Sequence, residues 1–135
     1  MNNRISFTVL GRPAPQGSMK SFGKGRMGCD NPRTLPWRQQ VGWSALEARA
    51  KAGMCAPWAK DVAVSVNCLF YFARPKSAKK REYPTVKPDR DKLERAIGDA
   101  LTGVLYVDDA QVVDGRATKL YGLPERVEIS VEVMK

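Results

Sequence analysis

The sequence predicts a single α/β domain, residues 1–135, in which a mixed β-sheet carries two α-helices. Its 135 residues are the usual size of one domain. Four segments alternate apolar and polar side chains, as strands do. Two other segments repeat apolar residues at helical spacing. The strand segments are 4–10, 61–72, 110–121 and 125–134, and the helical segments begin at Thr34 and at Asp89.

The strand segments differ in how they are expected to be buried. Residues 61–72 alternate and then become fully apolar, which predicts a strand at the centre of the sheet. In residues 125–134, valine and isoleucine alternate with glutamate and serine, so one face of that strand is expected to meet water. Residues 122–124, Gly-Leu-Pro, predict a hairpin loop between the last two strands.

Each helix carries its own start and stop signals. Thr34 is predicted to cap the first helix, with Pro36 in its first turn and Gly53 at its end. The second helix is predicted over residues 89–102, with Gly103 ending it. The residues expected to face the core are Trp37, Val41, Ala45 and Ala48 in the first helix, and Leu93, Ala96, Ile97, Ala100 and Leu101 in the second.

The charge of the chain indicates a polyanionic partner. Lysine and arginine number 23 against 14 acidic residues, which gives +9 and a pI near 9.7. The alternative is a merely basic, solvated surface. Cations gather in two loops, 11–33, with a short hairpin expected around Met19–Phe22, and 73–88. Nucleic-acid contacts are predicted for Arg12, Lys20, Lys24, Arg26, Arg74, Lys76, Lys79 and Lys80 of these loops, and for Lys92.

Composition also excludes several kinds of chemistry. Histidine is absent, so no imidazole can act as a base or metal ligand. The three cysteines lack a C-x-x-C pair, which predicts neither a zinc site nor a disulfide framework, and Cys68 is expected in the core. No stretch approaches the ~20 apolar residues of a membrane helix, and no signal peptide is visible, so no membrane partner is expected.

Acidic residues are few, yet six of the 14 lie between residues 89 and 109. Grouped carboxylates repel one another, and Mg²⁺, which prefers oxygen ligands, would relieve that repulsion. Asp89 and Asp91 can converge if the chain is still extended before the helix begins. Simpler interpretations also exist: a helix cap for Asp89, the helix dipole for Asp91 and a turn for Asp108 and Asp109.

Arg95 lies four residues after Asp91, on the helix face opposite the apolar stripe. It is either a surface ion-pair partner, worth ~0.3–0.5 kcal/mol, or a cation that holds the scissile phosphate. Carboxylates on both sides of one helix, between two basic loops, together fit metal-dependent phosphodiester cleavage.

Three joined blocks resemble the RusA family of Holliday junction resolvases. The family pattern runs D-x-D-N-x-x-K, then D-A-L, then D-D-x-Q-V, and the spacing here matches over roughly residues 87–119. The blocks in this chain are Asp89-Arg90-Asp91-Lys92-Leu93-Glu94-Arg95, Asp99-Ala100-Leu101-Thr102 and Val107-Asp108-Asp109-Ala110-Gln111-Val112-Val113-Asp114.

The resemblance implies a cytoplasmic, bacterial or phage-encoded homodimer of RusA-like α/β fold. It implies a Mg²⁺-dependent endonuclease that makes paired nicks in branched DNA, the four-way junctions of recombination and repair. By position, Asp89, Asp91 and Asp109 match the metal-binding aspartates of the family. Asp108 is adjacent and is counted with them as a metal ligand, and Asp99 matches a further family acid.

Two positions depart from the family pattern. Lys92 stands where the family has asparagine, and Arg95 where it has its catalytic lysine. An arginine can neutralise phosphate charge but does not give up its proton, so it cannot serve as a base. If the family lysine transfers a proton, Lys92 would have to supply the amine; if it acts electrostatically, Arg95 can replace it.

Three functions therefore remain: a junction-resolving endonuclease, a branched-DNA-binding protein with little or no nuclease activity because of Arg95, and an RNA-binding or ribosome-associated module. The aspartates favour the first, because carboxylates repel phosphate and do not help a pure binder. The third also lacks the interleaved aromatic and glycine pattern of the RNP type.

Overall fold

The structure, a computed structural model, describes residues 3–17, 19–21, 27–29 and 31–135, with the backbone alone for 19–21 and 27–29. The strands are β1 (Arg4–Leu10), β2 (Met19–Ser21), β3 (Met27–Cys29), β4 (Val64–Phe72), β5 (Val112–Tyr121) and β6 (Arg126–Val133). The helices are α1 (Thr34–Lys51) and α2 (Arg90–Leu101), and short 3₁₀ turns span Lys76–Ala78 and Asp109–Gln111.

The main sheet has four strands in the order β1-β6-β4-β5. β6 pairs antiparallel with both β1 and β4, whereas β4 and β5 are parallel. The predicted mixed sheet with two helices is therefore confirmed, and β4 lies inside the sheet as expected. A hairpin was expected in the first basic loop around Met19–Phe22; β2 lies there, but its antiparallel partner β3 lies farther along the chain than expected.

The hairpin predicted between the last two strands is wrong. β4 lies between β5 and β6, so residues 122–125 cross the end of β4 instead of joining neighbouring strands. Gly122 donates its amide to the Phe72 carbonyl oxygen at 2.9 Å. A Cβ at Gly122 would come within 2.7 Å of the Tyr71 ring, so this crossing requires glycine.

The cap predicted at Thr34 is also wrong. Arg33 occupies the cap position of α1 without a side-chain hydrogen bond, and Thr34 already belongs to the helix. The Thr34 side chain is buried and donates its hydroxyl to the Pro15 carbonyl oxygen at 2.6 Å, so it anchors the segment after β1 to α1. Gly53, with φ +78°, ends the helix as predicted.

Both helices bury their apolar stripes in one core with one face of the sheet. Val41 and Ala45 of α1 and the whole predicted stripe of α2 are buried, together with Phe70 of β4 and Ile129 of β6. Each large apolar side chain buried in this way stabilises the fold by about 1.5–3 kcal/mol. Cys68 belongs to the same core, and burial raises the pKa of its thiol to about 12.

Within the described residues, no helix is long and apolar enough to cross a membrane.

Candidate functional site

One cavity of about 420 Å³ gathers acidic side chains from three separate segments. α2 contributes one wall, the 3₁₀ turn at Asp109 another, and the start of β5 a third. Four carboxylates and one guanidinium line it, in a chain whose net charge is +9. We call it the acidic cavity, and its charged residues are Asp91, Glu94, Arg95, Asp109 and Asp114.

The helical wall follows from the period of α2. Asp91, Glu94, Arg95 and Gly98 recur every three or four residues, so they share a face, and it lies opposite the buried stripe. Among the described residues, Arg95 forms no ion pair with Asp91. The surface ion pair considered for Arg95 is therefore absent, and Arg95 lines the acidic cavity.

Asp109 is positioned by the buried side chain of Gln111. The Gln111 Oε1 accepts from the amides of Val107 and Asp108 at 2.8 and 3.0 Å. Its Nε2 donates to the carbonyl oxygens of Ala59 and Val62, both at 2.9 Å. The two Nε2 bonds tie the loop before β5 to the segment before β4, and the two Oε1 bonds hold the loop itself, which fixes the backbone on either side of Asp109. Nothing in the local sequence but the glutamine itself signals this role.

Asp108 has a local structural role. Its Oδ1 accepts from the Ala110 amide at 2.9 Å and so caps the 3₁₀ turn. That hydrogen bond, with help from the Asp109 side chain and from Lys60, holds the pKa of Asp108 below its usual value. Asp108 does not line the acidic cavity. The turn interpretation therefore describes this residue, whereas its neighbour Asp109 lies at the cavity.

Asp114 is a site residue that the sequence patterns did not assign. The register between β4 and β5 shifts after Val64, which pairs with Val112, so that Ser65 pairs with Asp114 and Val113 is an extra, bulged residue. The Ser65 hydroxyl donates to the Asp114 Oδ2 at 2.8 Å. The bulge thus sets which residues of β5 reach the cavity. The only sequence signal for Asp114 was its position as the last residue of the third block that resembles the family pattern.

Tyr106 is the buried aromatic residue among the lining side chains. Its hydroxyl donates to the Gly98 carbonyl oxygen at 3.4 Å. Burial raises the pKa of Tyr106 to about 12, and the hydrogen bond with Thr102 and the nearby Asp109 charge have smaller effects. The phenol therefore stays neutral and part of the core.

Asp89 lies outside the acidic cavity. It lines a second cavity of about 420 Å³ between residues 12–17 and the first turn of α2. Four cations surround it there, and we call this cavity the basic pocket. Its charged residues are Arg12, Arg33, Lys87, Asp89 and Lys92. Asp89 has the extended backbone on which the expected convergence with Asp91 depends, and that convergence stays a prediction.

The acidic cavity suits a hard divalent cation. Within the described part of the chain, no three acidic or thiol side chains are close enough to hold a metal by themselves. Mg²⁺ does not need such a set, because it is usually bound through one or two carboxylates together with water and substrate phosphate. Asp91 and Asp109, from two separate segments, both line this cavity and could offer those two carboxylates.

The other cations predicted to bind DNA fall into two groups: arginines that also bond within the fold, and lysines that are exposed. Arg12 pairs with Glu125 at 2.8 Å, and the Arg74 guanidinium packs 4.6 Å from the Tyr121 ring centre and bonds the Arg81 carbonyl oxygen, so both also hold the fold together. Lys76, Lys79 and Lys80 are exposed. Lys24, Arg26 and the Lys20 side chain lie outside the described residues. Asp99 is exposed and does not line the acidic cavity.

Comparison with known proteins gives two matches. Residues 11–132 match the family model described as endodeoxyribonuclease RusA. The chain is also 34% identical over 140 residues to the uncharacterized protein YqaN of Bacillus subtilis (strain 168), with 94% of each chain covered. The family match spans both cavities and every strand of the main sheet except β1 and the last residue of β6. The chain therefore belongs to the RusA family of endodeoxyribonucleases.

Proposed function

We propose that the protein is a Mg²⁺-dependent, structure-specific endonuclease that resolves four-way DNA junctions by paired nicks. The observation that carries the proposal is the acidic cavity. Asp91 and Asp109, from separate segments, line it together with Arg95. A carboxylate cluster on a chain of charge +9 gains little for binding phosphate alone, but it suits a metal that acts on phosphate.

The metal would be held by Asp91 and Asp109, with water and a phosphate oxygen completing its shell. When bound, Mg²⁺ polarises the phosphate and lowers the pKa of water at the site. Asp114 and Glu94 line the same cavity and can accept hydrogen bonds from that water. Asp89, at the neighbouring pocket, is proposed as a further carboxylate that engages the site when DNA is present.

Arg95 would stabilise the charge that develops on the phosphate. It borders the cavity without an ion-pair partner among the described residues, so its donors are available to a ligand. A guanidinium presents several donors in a planar fork and can hold two phosphate oxygens together. This role is electrostatic and requires no proton transfer from Arg95.

The basic loops would hold the DNA strands on either side of the cavity. Lys76, Lys79 and Lys80 are exposed in the loop that precedes α2, and Lys92 borders the basic pocket. Such contacts neutralise phosphates and release counterions, which makes binding strong and dependent on salt. Arg74 would help through the shape of its loop as much as through its charge, since its guanidinium is already bonded within that loop.

Paired nicks would require two sites. A four-way junction has near two-fold symmetry, and each chain supplies one acidic cavity, so we propose a homodimer related by a two-fold axis. A supercoiled plasmid that extrudes a cruciform tests this directly. With Mg²⁺ we expect linear plasmid as the main product, because two opposed cuts fall within one encounter. Nicked circles that accumulate without linear product would contradict the paired mechanism.

A further inference from the structure

The basic pocket is placed beside the acidic cavity by the first turn of α2. Residues 91, 94, 95 and 98 face the acidic cavity, whereas residues 89 and 92 face the basic pocket. The two cavities have nearly equal volumes and opposite charge. A DNA strand whose phosphate lies in the acidic cavity therefore has an adjacent cationic cavity within reach of its next nucleotides.

The walls of the basic pocket are fixed by hydrogen bonds within the chain. The Gln16 amide donates to the Lys92 carbonyl oxygen at 2.9 Å, which joins the segment after β1 to α2. The Arg33 guanidinium donates to the Arg12 carbonyl oxygen at 2.8 Å, and Thr34 holds Pro15. The backbone of the pocket and the Arg33 side chain are thus held in place before any ligand arrives, which reduces the ordering cost of binding.

The lining of the pocket fits a nucleotide better than a bare anion. Arg12, Arg33, Lys87 and Lys92 supply donors for a phosphate, and prolines 13, 15 and 88 supply apolar surface for a sugar or a base. The volume of about 420 Å³ lies within the usual range of small-molecule sites. The Gln16 Oε1 is buried and, among the described residues, has no hydrogen-bond donor, so a donor on the ligand would satisfy it.

We propose that the basic pocket is a nucleotide subsite, which holds a nucleotide that neighbours the scissile phosphate of the DNA substrate. Arg33, Lys87 and Lys92 bind its phosphate, and Gln16 accepts a hydrogen bond from its sugar or base. This inference rests on the proposed nuclease function for the identity of the strand, but the pocket itself is expected to bind a nucleotide without metal and without cleavage.

The test is a titration of the full chain, followed by ¹H–¹⁵N NMR in EDTA, with deoxyadenosine 5′-monophosphate and separately with inorganic phosphate. We expect shifts at the amides of Gly17 and Lys92 and tighter binding of the nucleotide than of phosphate. Lys92→Ala and Lys87→Ala should each weaken nucleotide binding about tenfold, the effect of losing one hydrogen bond to a charged group. Lys51→Ala removes one charge from the far end of α1 and should leave binding unchanged.

The variant Gln16→Met tests whether the pocket recognises a whole nucleotide or only its phosphate. The substitution keeps the backbone bond to Lys92 and removes the side-chain amide, including its Oε1 acceptor, so it should weaken binding of the nucleotide more than binding of phosphate. Equal affinity for both probes, or a nucleotide affinity that Lys92→Ala leaves unchanged, would overturn the proposal. If nucleotide binding behaves as described but junction cleavage is absent, the proposed nuclease function is wrong and the nucleotide pocket is supported. If the protein cleaves junctions but binds no nucleotide in the pocket, the proposed subsite is wrong and the nuclease function is supported.

Discussion

Asp89 and Asp91 stand two residues apart at the start of α2, yet they line different cavities. Asp89 occupies the cap position with extended backbone, φ −70° and ψ 141°, but makes no side-chain capping hydrogen bond, and Asp91 belongs to the first helical turn. Asp91 faces the acidic cavity with Arg95, and Asp89 faces the basic pocket with Lys92. The first turn of α2 thus places one aspartate at each of two neighbouring cavities.

The adjacent residues Asp108 and Asp109 have different proposed roles: Asp108 caps the 3₁₀ turn, and Asp109 is a candidate metal ligand. Asp109→Asn should lower cleavage by about 100-fold or more, because it removes a charged oxygen ligand. Asp108→Asn should keep most activity, since an asparagine carbonyl can still accept from the Ala110 amide. Initial rates on a four-way junction decide this. Equal losses for the two variants would assign both residues to the metal.

Arg95 is expected to act through its charge. Arg95→Ala should reduce the cleavage rate by about 10²–10³-fold, the cost of losing one donor to developing charge, and Arg95→Lys should recover much of that loss. Single-turnover rates with saturating enzyme isolate this step from binding. If Arg95→Ala cuts as fast as the parent, Arg95 has no part in the reaction.

Gly115 is required by the close approach of β4 and β5 beside the site. A Cβ at this position would lie 2.1 Å from the Val66 carbonyl oxygen. Gly115→Ala should therefore force the strands apart at the bulge and destabilise the fold by about 1–3 kcal/mol. As a matched control, Gly42→Ala in α1 meets only ordinary contacts and should stabilise by about 0.5–1 kcal/mol. Urea unfolding measures both; a neutral Gly115→Ala would contradict the pairing of Gly115 with Val66 across the two strands.

Stability should fall at alkaline pH. Burial raises the pKa of Cys68 and of Tyr106 to about 12, above the ordinary values of 9.0 and 10.0. Between those values the unfolded chain loses protons that the folded chain keeps, so stability is full below about pH 9 and declines toward pH 12, by at most about 1.4 kcal/mol per pH unit for each group. Tyr106→Phe should flatten the decline between pH 10 and 12 in urea unfolding, and an unchanged slope would refute the assignment.

The sequence predicted those features that depend on local pattern. Alternation and helical spacing gave the strands and helices of the main sheet to within a few residues, and the glycine stops at Gly53 and Gly103 were confirmed by their positive φ. Pairing partners were not predictable in this way. A short Gly-Leu-Pro loop indicates a turn, but it does not show that β4 lies between the strands it joins.

Only part of the candidate site was predicted, because some of its residues depend on local spacing and others on how the strands pair. Asp91, Arg95 and Asp109 carry recognisable spacing around α2, and the structure brings them to one cavity. Asp114 depends on the bulge in β5, which appears only when the two strands are paired. Thr34 was predicted as a cap because threonine commonly caps helices, whereas its hydroxyl bonds a residue 19 positions earlier.

The most direct test of the proposed function is cleavage of a synthetic four-way junction with Mg²⁺ or with EDTA, using the parent protein and Asp91→Asn side by side. We expect the parent to cut the junction with Mg²⁺ alone, to leave a linear duplex of the same arms intact, and to bind the junction without cutting in EDTA. Asp91→Asn should bind the junction at least as tightly as the parent and should not cut it. Cleavage by the parent in EDTA, or full cleavage by Asp91→Asn, would contradict a metal-dependent site in the acidic cavity.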